Sequence, residues 1–137
     1  MAKKSWHEKL HIDHKPVVEV LKNPMGGFPA GASMLISTPL EFKKLIEKIP
    51  EGQRVTLREI REKLAKRYKA DASCPLTSGI FLRIVAEAAW DEIEQGKDPG
   101  EVTPFWRAIG RKDPIVKKLR CGLPFLERMW KAEGIAA

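Results

Sequence analysis

Two helix starts, each followed at once by an amphipathic stripe, constrain the fold of this chain more than any other feature. At the first, Thr38 is a good N-cap, Pro39 suits the first helical position and Glu41 completes a capping box. The helix is predicted to run to about Ile49, where Pro50-Glu51-Gly52 stops it. Because its apolar residues recur at helical spacing, one face should be buried against other elements.

A second capping box, Thr56-Leu57-Arg58-Glu59, predicts a second helix, and a turn over residues 71–75 separates it from a third. Thr77 or Ser78 is expected to cap the third helix, which ends near Gln95-Gly96. Both helices have a continuous apolar stripe. The stripe residues are Leu57, Ile60, Leu64 and Tyr68 in the second helix and Ile80, Phe81, Ile84, Val85, Ala88 and Ala89 in the third.

The last third of the chain is expected to add a wing and one more helix. Residues 108–116 have a central turn between short apolar pairs, the pattern of a small hairpin. Gly122-Leu123-Pro124 then opens a last helix that Glu133-Gly134 closes. The predicted fold class is mainly α, a winged helix-turn-helix-like domain of about four helices with a small wing. This domain covers residues 34–137, and residues 1–33 form a basic, flexible N-terminal arm.

The 137-residue chain has a net charge of +7, and the charge is unevenly distributed. Residues 107–131 contain eight basic side chains against two acidic ones, a local excess of +6. Residues 87–101 contain six acids against one lysine, a local charge of −5. Separated charge of this kind suits a polyanion held along one edge, so it favours nucleic-acid binding over a merely solvated charged face.

The first half of the third helix is the part best suited to approach phosphates. Ser78, Gly79 and Arg83 lie there without an acidic residue, whereas the acids of the helix begin at Glu87. Arg83 lies one residue off the apolar stripe and has small neighbours, Gly79 and Ala86, so it should project from the helix. The alternative is an exposed arginine that pairs with Glu87 one turn along.

The order of these motifs resembles the C-terminal domain of the O6-alkylguanine-DNA alkyltransferases and the alkyltransferase-like proteins, over about residues 37–135. Residues 38–42 and 49–56 resemble the family's opening helix and its Ile-Pro-x-Gly signature, and residues 82–88 resemble its recognition helix. Pro104-Phe105-Trp106-Arg107 falls on the Pro-Cys-His-Arg active site. Further matches are Asp98-Pro99, where the family has Asn-Pro, and the closing helix from Cys121-Gly122-Leu123 to Ala132-Glu133-Gly134-Ile135.

The resemblance implies a protein that binds the minor groove of double-stranded DNA and flips an alkylated guanine into a pocket. Arg83 aligns with the arginine that replaces the extruded base. The family's acceptor cysteine is Phe105 here and its activating histidine is Trp106, so the site lacks the thiolate and adjacent base that alkyl transfer requires. Leu57 replaces a family tyrosine. Glu133 matches the relay glutamate but has no histidine to orient, so we expect a structural role at the helix end.

The resemblance therefore predicts a DNA-binding protein without alkyltransferase activity, which recognises alkylated or distorted DNA by base flipping and passes it to another repair protein. The expected protein is a cytoplasmic monomer without cofactor or metal, and it contacts no membrane because no apolar run approaches about 18 residues. The predicted DNA-binding residues are Ser78, Gly79, Arg83, Arg107, Arg111, Lys112, Lys117, Lys118 and Arg120, and the predicted pocket residues are Leu57, Phe105, Trp106 and Glu133.

Two alternatives remain open from the sequence. The same scaffold could serve as a protein- or RNA-interaction module in which Phe105 and Trp106 plug the former pocket as core residues. An enzyme that uses Cys74 or Cys121 is the other alternative, although neither thiol has a histidine within about ten residues. Three histidines of the arm fall at helical spacing and could bind a metal, but are expected to be solvated: His7, His11 and His14.

Overall fold

In the computed structural model, which describes residues 4–137, the chain forms five α-helices and a small three-stranded sheet. The helices are α1 (Trp6–Leu10), α2 (Pro39–Glu47), α3 (Leu57–Arg67), α4 (Pro75–Glu94) and α5 (Gly122–Glu133). The strands are β1 (Val17–Val20), β2 (Ser33–Ile36) and β3 (Ala72–Ser73). The prediction of a mainly helical fold is confirmed, and the helices predicted from the sequence correspond to α2 through α5.

The capping box predicted at Thr56 forms at the N-terminus of α3. The one predicted at Thr38 forms only in part at the N-terminus of α2, because the Glu41 carboxylate accepts from the hydroxyls of Ser37 (2.8 Å) and Tyr68 and not from the Thr38 N–H. The Thr38 hydroxyl accepts a hydrogen bond from the Glu41 backbone N–H (3.3 Å), and Pro39 occupies the first turn of α2. The Thr56 hydroxyl accepts from the Glu59 N–H (3.1 Å), and the Glu59 carboxylate accepts from Thr56 in return. Each cap satisfies donors that have no partner inside the helix, so both helices begin where the sequence predicts.

Helix α4, with 20 residues, is the central element, and α1, α2 and α3 all pack against it. It begins at Pro75, before the predicted caps at Thr77 and Ser78, because a proline at the first position needs no N–H partner. Most of the helix is covered by its neighbours. Its buried apolar residues are Phe81, Leu82, Ile84, Val85, Ala86, Ala88 and Ala89.

The sheet is not built from the predicted wing. β1 pairs antiparallel with β2, and β2 pairs parallel with the short β3. Residues 108–116 form no hairpin, because 3-10 turns occupy Phe105–Ala108 and Pro114–Lys117. The proline of the second turn cannot donate to a β-ladder, and the Asp113 carboxylate accepts from the Gly110 N–H (2.8 Å), which closes a local turn instead. The prediction of a wing at this position is therefore wrong.

Parts of the N-terminal segment are held on the domain by α1 and β1, although the sequence predicts a flexible arm over residues 1–33. Ser5 and Glu8 form a capping box that starts α1. Leu10 is buried in the core, 2% exposed, and β1 is held by its pairing with β2. Trp6 and Leu10 lie one helical turn apart and share the face that packs on α4. Residues 1–3 of the predicted arm lie outside the described part of the chain.

Helix α5 begins and ends where the sequence predicts. Gly134 takes a left-handed conformation (φ +71°), which ends the helix. The Trp130 indole N–H donates to the Trp106 backbone carbonyl (2.8 Å), and the Phe125 ring packs against the Trp106 ring. α5 therefore fixes the segment that aligns with the family's active site.

Candidate nucleic-acid interface

An open groove of about 730 Å³, the α4 groove, lies between α1, the start of α3, the first half of α4 and the turn at residues 113–118. Most of its surface is apolar, and basic side chains also line it. The residues that matter most are Trp6, Leu57, Leu76, Gly79, Ile80 and Ile115 on the apolar side and Lys9, Arg58, Arg83 and Lys118 on the basic side.

The first turns of α4 present apolar side chains to this groove. Leu76 is 73% exposed and Ile80 is 49% exposed. The sequence places Ile80 in the buried stripe, but the helix buries the face through Phe81 and Val85 and turns Ile80 to the groove. At Gly79, nothing lies within 4 Å of the position that a Cβ would occupy. The start of α4 can therefore approach another molecule closely.

Arg83 lines the α4 groove one turn after Gly79. Its side chain is 38% exposed, its Nε lies 3.7 Å from Glu87 Oε2, and its guanidinium lies 5.3 Å from the centroid of the Trp6 ring. The distance to Glu87 is too long for a good hydrogen bond, and Arg83 Nε has no hydrogen-bond partner among the described residues. Arg83 therefore lines the groove, and the ion pair with Glu87 that the alternative interpretation requires is long.

Glu87 is fully buried, and its close partner is Arg120. Arg120 Nε donates to Glu87 Oε1 (2.8 Å), its Nη2 donates to Asp91 Oδ1 (2.7 Å), and its Nη1 lies 3.6 Å from Glu94. Burial lowers the pKa of Arg120, but the hydrogen bonds to Asp91 and Glu87 outweigh burial and raise the pKa. Because three carboxylates neutralise this guanidinium, Arg120 is not free for the DNA contact predicted for it.

Arg107 is also committed inside the protein. Its Nε and Nη2 donate to the two carboxylate oxygens of Glu133 (2.8 and 3.0 Å), and its Nη1 donates to the Ile49 carbonyl (2.8 Å). Only 15% of the Arg107 side chain and 5% of the Glu133 side chain are exposed. The DNA contact predicted for Arg107 is therefore corrected. The bidentate pair of Arg107 and Glu133 is a buried clamp, which joins the segment that follows α2 to the end of α5.

Glu133 is the acceptor around which the clamp is built, at the helix end where a structural role is expected. Besides Arg107, it accepts from the Trp106 indole N–H (2.7 Å) and from the Gly52 backbone N–H (3.0 Å). Burial raises the pKa of Glu133, but the hydrogen bonds from Arg107, Gly52 and Trp106 outweigh burial and lower the pKa. The carboxylate is therefore ionised, and both of its oxygens are used inside the fold.

Phe105 and Trp106 fill the core at the position that aligns with the family's active site. Phe105 is 0% exposed and Trp106 is 1% exposed, and both rings pack against Phe125. Of the four predicted pocket residues, Leu57 lines the α4 groove and the other three do not. Packed aromatic rings thus occupy the segment that the sequence resemblance compares with an acceptor cysteine and its histidine.

Some of the remaining predicted DNA contacts are exposed and unpaired, whereas others are buried or form an ion pair. Ser78 is buried, 2% exposed, and faces the core, so its predicted contact is corrected. Arg111 pairs with Glu127 at 2.8 Å on the surface. Of the predicted contacts, Lys112, Lys117 and Lys118 are exposed and form no ion pair within residues 4–137, and Lys118 lines the α4 groove.

The α4 groove also contains residues that were not predicted to belong to the site. Trp6 and Lys9 come from the segment expected to be a flexible arm, and Leu76 precedes the predicted start of the third helix. The signal for α1 was present, because a Ser5 to Glu8 capping box precedes apolar residues at helical spacing. An exposed leucine such as Leu76 has no comparable signal in the sequence.

The two thiols and the three N-terminal histidines are not arranged around a shared centre. Burial, and then the charge of Glu87, raises the pKa of the Cys121 thiol to about 11, so this thiol is protonated at neutral pH. Cys74 is buried, and both cysteines are free thiols. Among residues 4–137, no group of three His, Cys, Asp or Glu side chains is placed to hold a metal ion, and His7, His11 and His14 belong to no such group.

Comparison with protein-family models, with curated proteins and with solved structures finds no match for this chain. In the part of the chain that the structure describes, no helix is long and apolar enough to cross a lipid bilayer. The interpretation of the α4 groove therefore depends on its own geometry and on the order of motifs in the sequence.

Proposed function

We propose that the protein binds double-stranded DNA without catalysing a reaction on it, and that the α4 groove is its DNA-contacting site. The observation that carries the proposal is one groove that combines exposed apolar side chains, a glycine that permits close approach and four basic residues. Apolar side chains and arginine side by side are typical of proteins that enter a groove of DNA and unstack its bases.

The α4 groove has a volume suited to an extruded base. At about 730 Å³ it lies within the range of roughly 300 to 1,000 Å³ that is common for small-ligand sites. Leu57, Ile80 and Ile115 supply apolar surface for the faces of a base. Alkylated, damaged or mismatched bases cost least to extrude, so the protein should prefer alkylated or distorted duplexes. This is the base flipping that the motif resemblance implies.

Arg83 is suited to fill the space left by the base, because it can leave its present position at little cost. When Arg83 turns away, Glu87 keeps the hydrogen bonds from the Nε (2.8 Å) and the backbone N–H (3.3 Å) of Arg120. No buried carboxylate is left without a partner. The contacts that Arg83 gives up, a long ion pair and a cation–π contact to Trp6, contribute roughly 1 to 2 kcal/mol together.

In the proposed function, the protein accepts no alkyl group from the DNA. Phe105 and Trp106 occupy the aligned acceptor position, and the raised pKa of Cys121, about 11, leaves little thiolate at neutral pH. From the sequence we further propose that the protein acts as a cytoplasmic monomer without a cofactor. The resemblance adds that it passes the bound DNA to another repair protein.

A protein-interaction module is the second candidate, and Leu76 favours it. A leucine that is 73% exposed beside a second exposed apolar residue, Ile80, also fits an apolar partner surface. The two candidates differ in their response to salt. Binding to DNA weakens steeply as salt rises, whereas an apolar protein interface does not.

The test of the proposed function compares Arg83→Ala with Arg128→Ala. Arg128 is an exposed arginine of α5 that does not line the α4 groove. Its replacement by alanine changes the net charge by the same amount as Arg83→Ala, so it controls for the loss of one positive charge. Arg83→Ala should weaken binding to a duplex that contains O6-methylguanine or a mismatch by roughly tenfold, and binding to intact duplex less. Arg128→Ala should change either affinity by less than about twofold.

Fluorescence of 2-aminopurine placed at the target position reports the extrusion itself. It should rise when the wild-type protein binds and should rise less with Arg83→Ala. An equal loss of affinity on all duplexes would make Arg83 a phosphate contact only. Failure of the wild-type protein to bind any duplex at low salt would refute the proposed function.

A further inference from the structure

A second groove, of about 490 Å³, lies between α3 and the tight turn at residues 25–28, and it is here named the α3 groove. Arg58 and Pro75 line both this groove and the α4 groove, so the two are neighbours on the surface. The α3 groove is more polar than its neighbour. Its basic residues are Arg58, Arg61 and Lys66.

Arg61 is the group in this groove whose bonding is incomplete. Its Nε is shielded from solvent and has no hydrogen-bond partner among the described residues. Arg58 pairs with Glu62 at 3.1 Å, and the Asp71 carboxylate accepts from the Ser33 N–H (2.9 Å). Lys66 forms no ion pair among the described residues. A shielded guanidinium N–H without an acceptor is unfavourable, so the half-buried Arg61 side chain gains a hydrogen bond if it turns to meet an acceptor from another molecule in the α3 groove.

A hydrogen bond to its backbone carbonyl holds Arg61 in place. The Ser73 hydroxyl donates to the Arg61 carbonyl (2.7 Å) and ties α3 to β3. Lys66 lies five residues further along the same helix and lines the same groove. A planar guanidinium matches two oxygens of a phosphate in a bidentate manner, and a nearby ammonium adds a point charge. Phe28 supplies an apolar wall beside these cations.

We propose that the α3 groove binds a backbone phosphate of the same nucleic acid that occupies the α4 groove, with Arg61 as the bidentate donor and Lys66 as the second cation. The inference rests on the proposed function, because that nucleic acid supplies the phosphate. Each groove contains one arginine whose Nε lacks a partner, and each contains an aromatic residue, Trp6 in one and Phe28 in the other. Cations alternating with aromatic side chains are typical of a path followed by a nucleic-acid strand.

The experiment follows the Nε–Hε signals of the arginines by NMR in isotope-labelled full-length protein. Inorganic phosphate is titrated first, and a short duplex containing O6-methylguanine is titrated second. Both should shift the Arg61 signal, and Arg61→Gln should weaken duplex binding by roughly tenfold and reduce the salt dependence by about one phosphate contact. Lys66→Gln should act in the same direction. Lys63→Gln, on the exposed part of α3 outside the groove, is the matched control and should change affinity by less than about twofold.

The outcomes separate this site from the proposed function. If the duplex binds without shifting the Arg61 signal, and Arg61→Gln binds it as tightly as the wild type, the phosphate site in the α3 groove is refuted. The proposed binding of DNA in the α4 groove is then unaffected. If phosphate shifts the Arg61 signal but no duplex binds, the nucleic-acid assignment of both grooves is refuted, and the α3 groove is a site for small phosphates. Coincident shifts with both ligands, lost in Arg61→Gln, support the proposal.

Discussion

Replacing Glu133 with alanine should destabilise the protein strongly, because one carboxylate serves three donors. The change leaves the Arg107 guanidinium with the Ile49 carbonyl alone, and it leaves the Trp106 indole N–H and the Gly52 N–H without their acceptor. Breaking a buried ion pair by removing one partner costs about 3 to 5 kcal/mol. Since the Glu133 side chain is 5% exposed, this full range applies.

The matched control for this change is Glu127→Ala. Glu127 pairs with Arg111 at 2.8 Å, the same distance as Arg107 to Glu133, but 46% of the Arg111 side chain and 44% of the Glu127 side chain are exposed. Solvent screens such a pair, so its loss should cost less than about 1 kcal/mol.

Thermal unfolding followed by circular dichroism distinguishes the two variants. For a chain of this length, each kcal/mol shifts Tm by about 3 to 4 °C. Glu133→Ala should therefore lower Tm by roughly 9 to 20 °C, and Glu127→Ala by less than about 4 °C. Equal shifts for the two variants would refute the argument that burial, and not distance, makes the clamp strong.

Three further predictions concern pH, the thiols and the helix glycine. The pKa of Glu133 is lowered in the folded protein, so its contribution to stability is complete above the unfolded pKa of about 4.3 and is lost as the pH falls through the folded pKa. The difference in unfolding free energy between wild type and Glu133→Gln should therefore narrow as the pH falls below about 4, and a constant difference would contradict this. Incubation with a methylated oligonucleotide should add no methyl group to Cys121 or Cys74, and mass spectrometry that finds one would show that the protein is an enzyme. Gly79→Ala should raise stability by up to about 1 kcal/mol, because the helix position has open space for a Cβ, and it should weaken DNA binding by hindering close approach; unchanged affinity would remove Gly79 from the interface.

Local patterns in the sequence determine most of the helices, and these were predictable. A threonine cap with a glutamate three residues later and apolar residues at helical spacing specify α2 and α3 without reference to the rest of the chain. α5 is similarly bounded by its own glycines. The predicted wing failed because apolar pairs around a turn occur in hairpins and in 3-10 turns alike. Val116 is buried in the core, so packing with other elements decided between them.

The state of the charged residues depends on partners that are distant in the sequence, so charge counting could not reveal it. Arg107 and Arg120 belong to the most basic segment, yet each is bound to buried carboxylate, from Glu133 and Glu87 respectively. Counting therefore overestimated the number of free cations between residues 107 and 131. The residues of the α4 groove could not be predicted from local patterns either, because Trp6, near the start of the chain, lies beside residues as distant in sequence as Lys118.

The central claim is that the α4 groove binds DNA, and titration of labelled duplexes tests it most directly. Duplexes with and without O6-methylguanine are titrated with the wild-type protein at about 50 and 200 mM salt. If Lys9, Arg58 and Lys118 meet three phosphates while Arg83 enters the base stack, affinity should fall by roughly 1.5 orders of magnitude between these conditions. The modified duplex should bind more tightly in both. A flat response to salt, or no binding to either duplex at the lower salt, would contradict the claim.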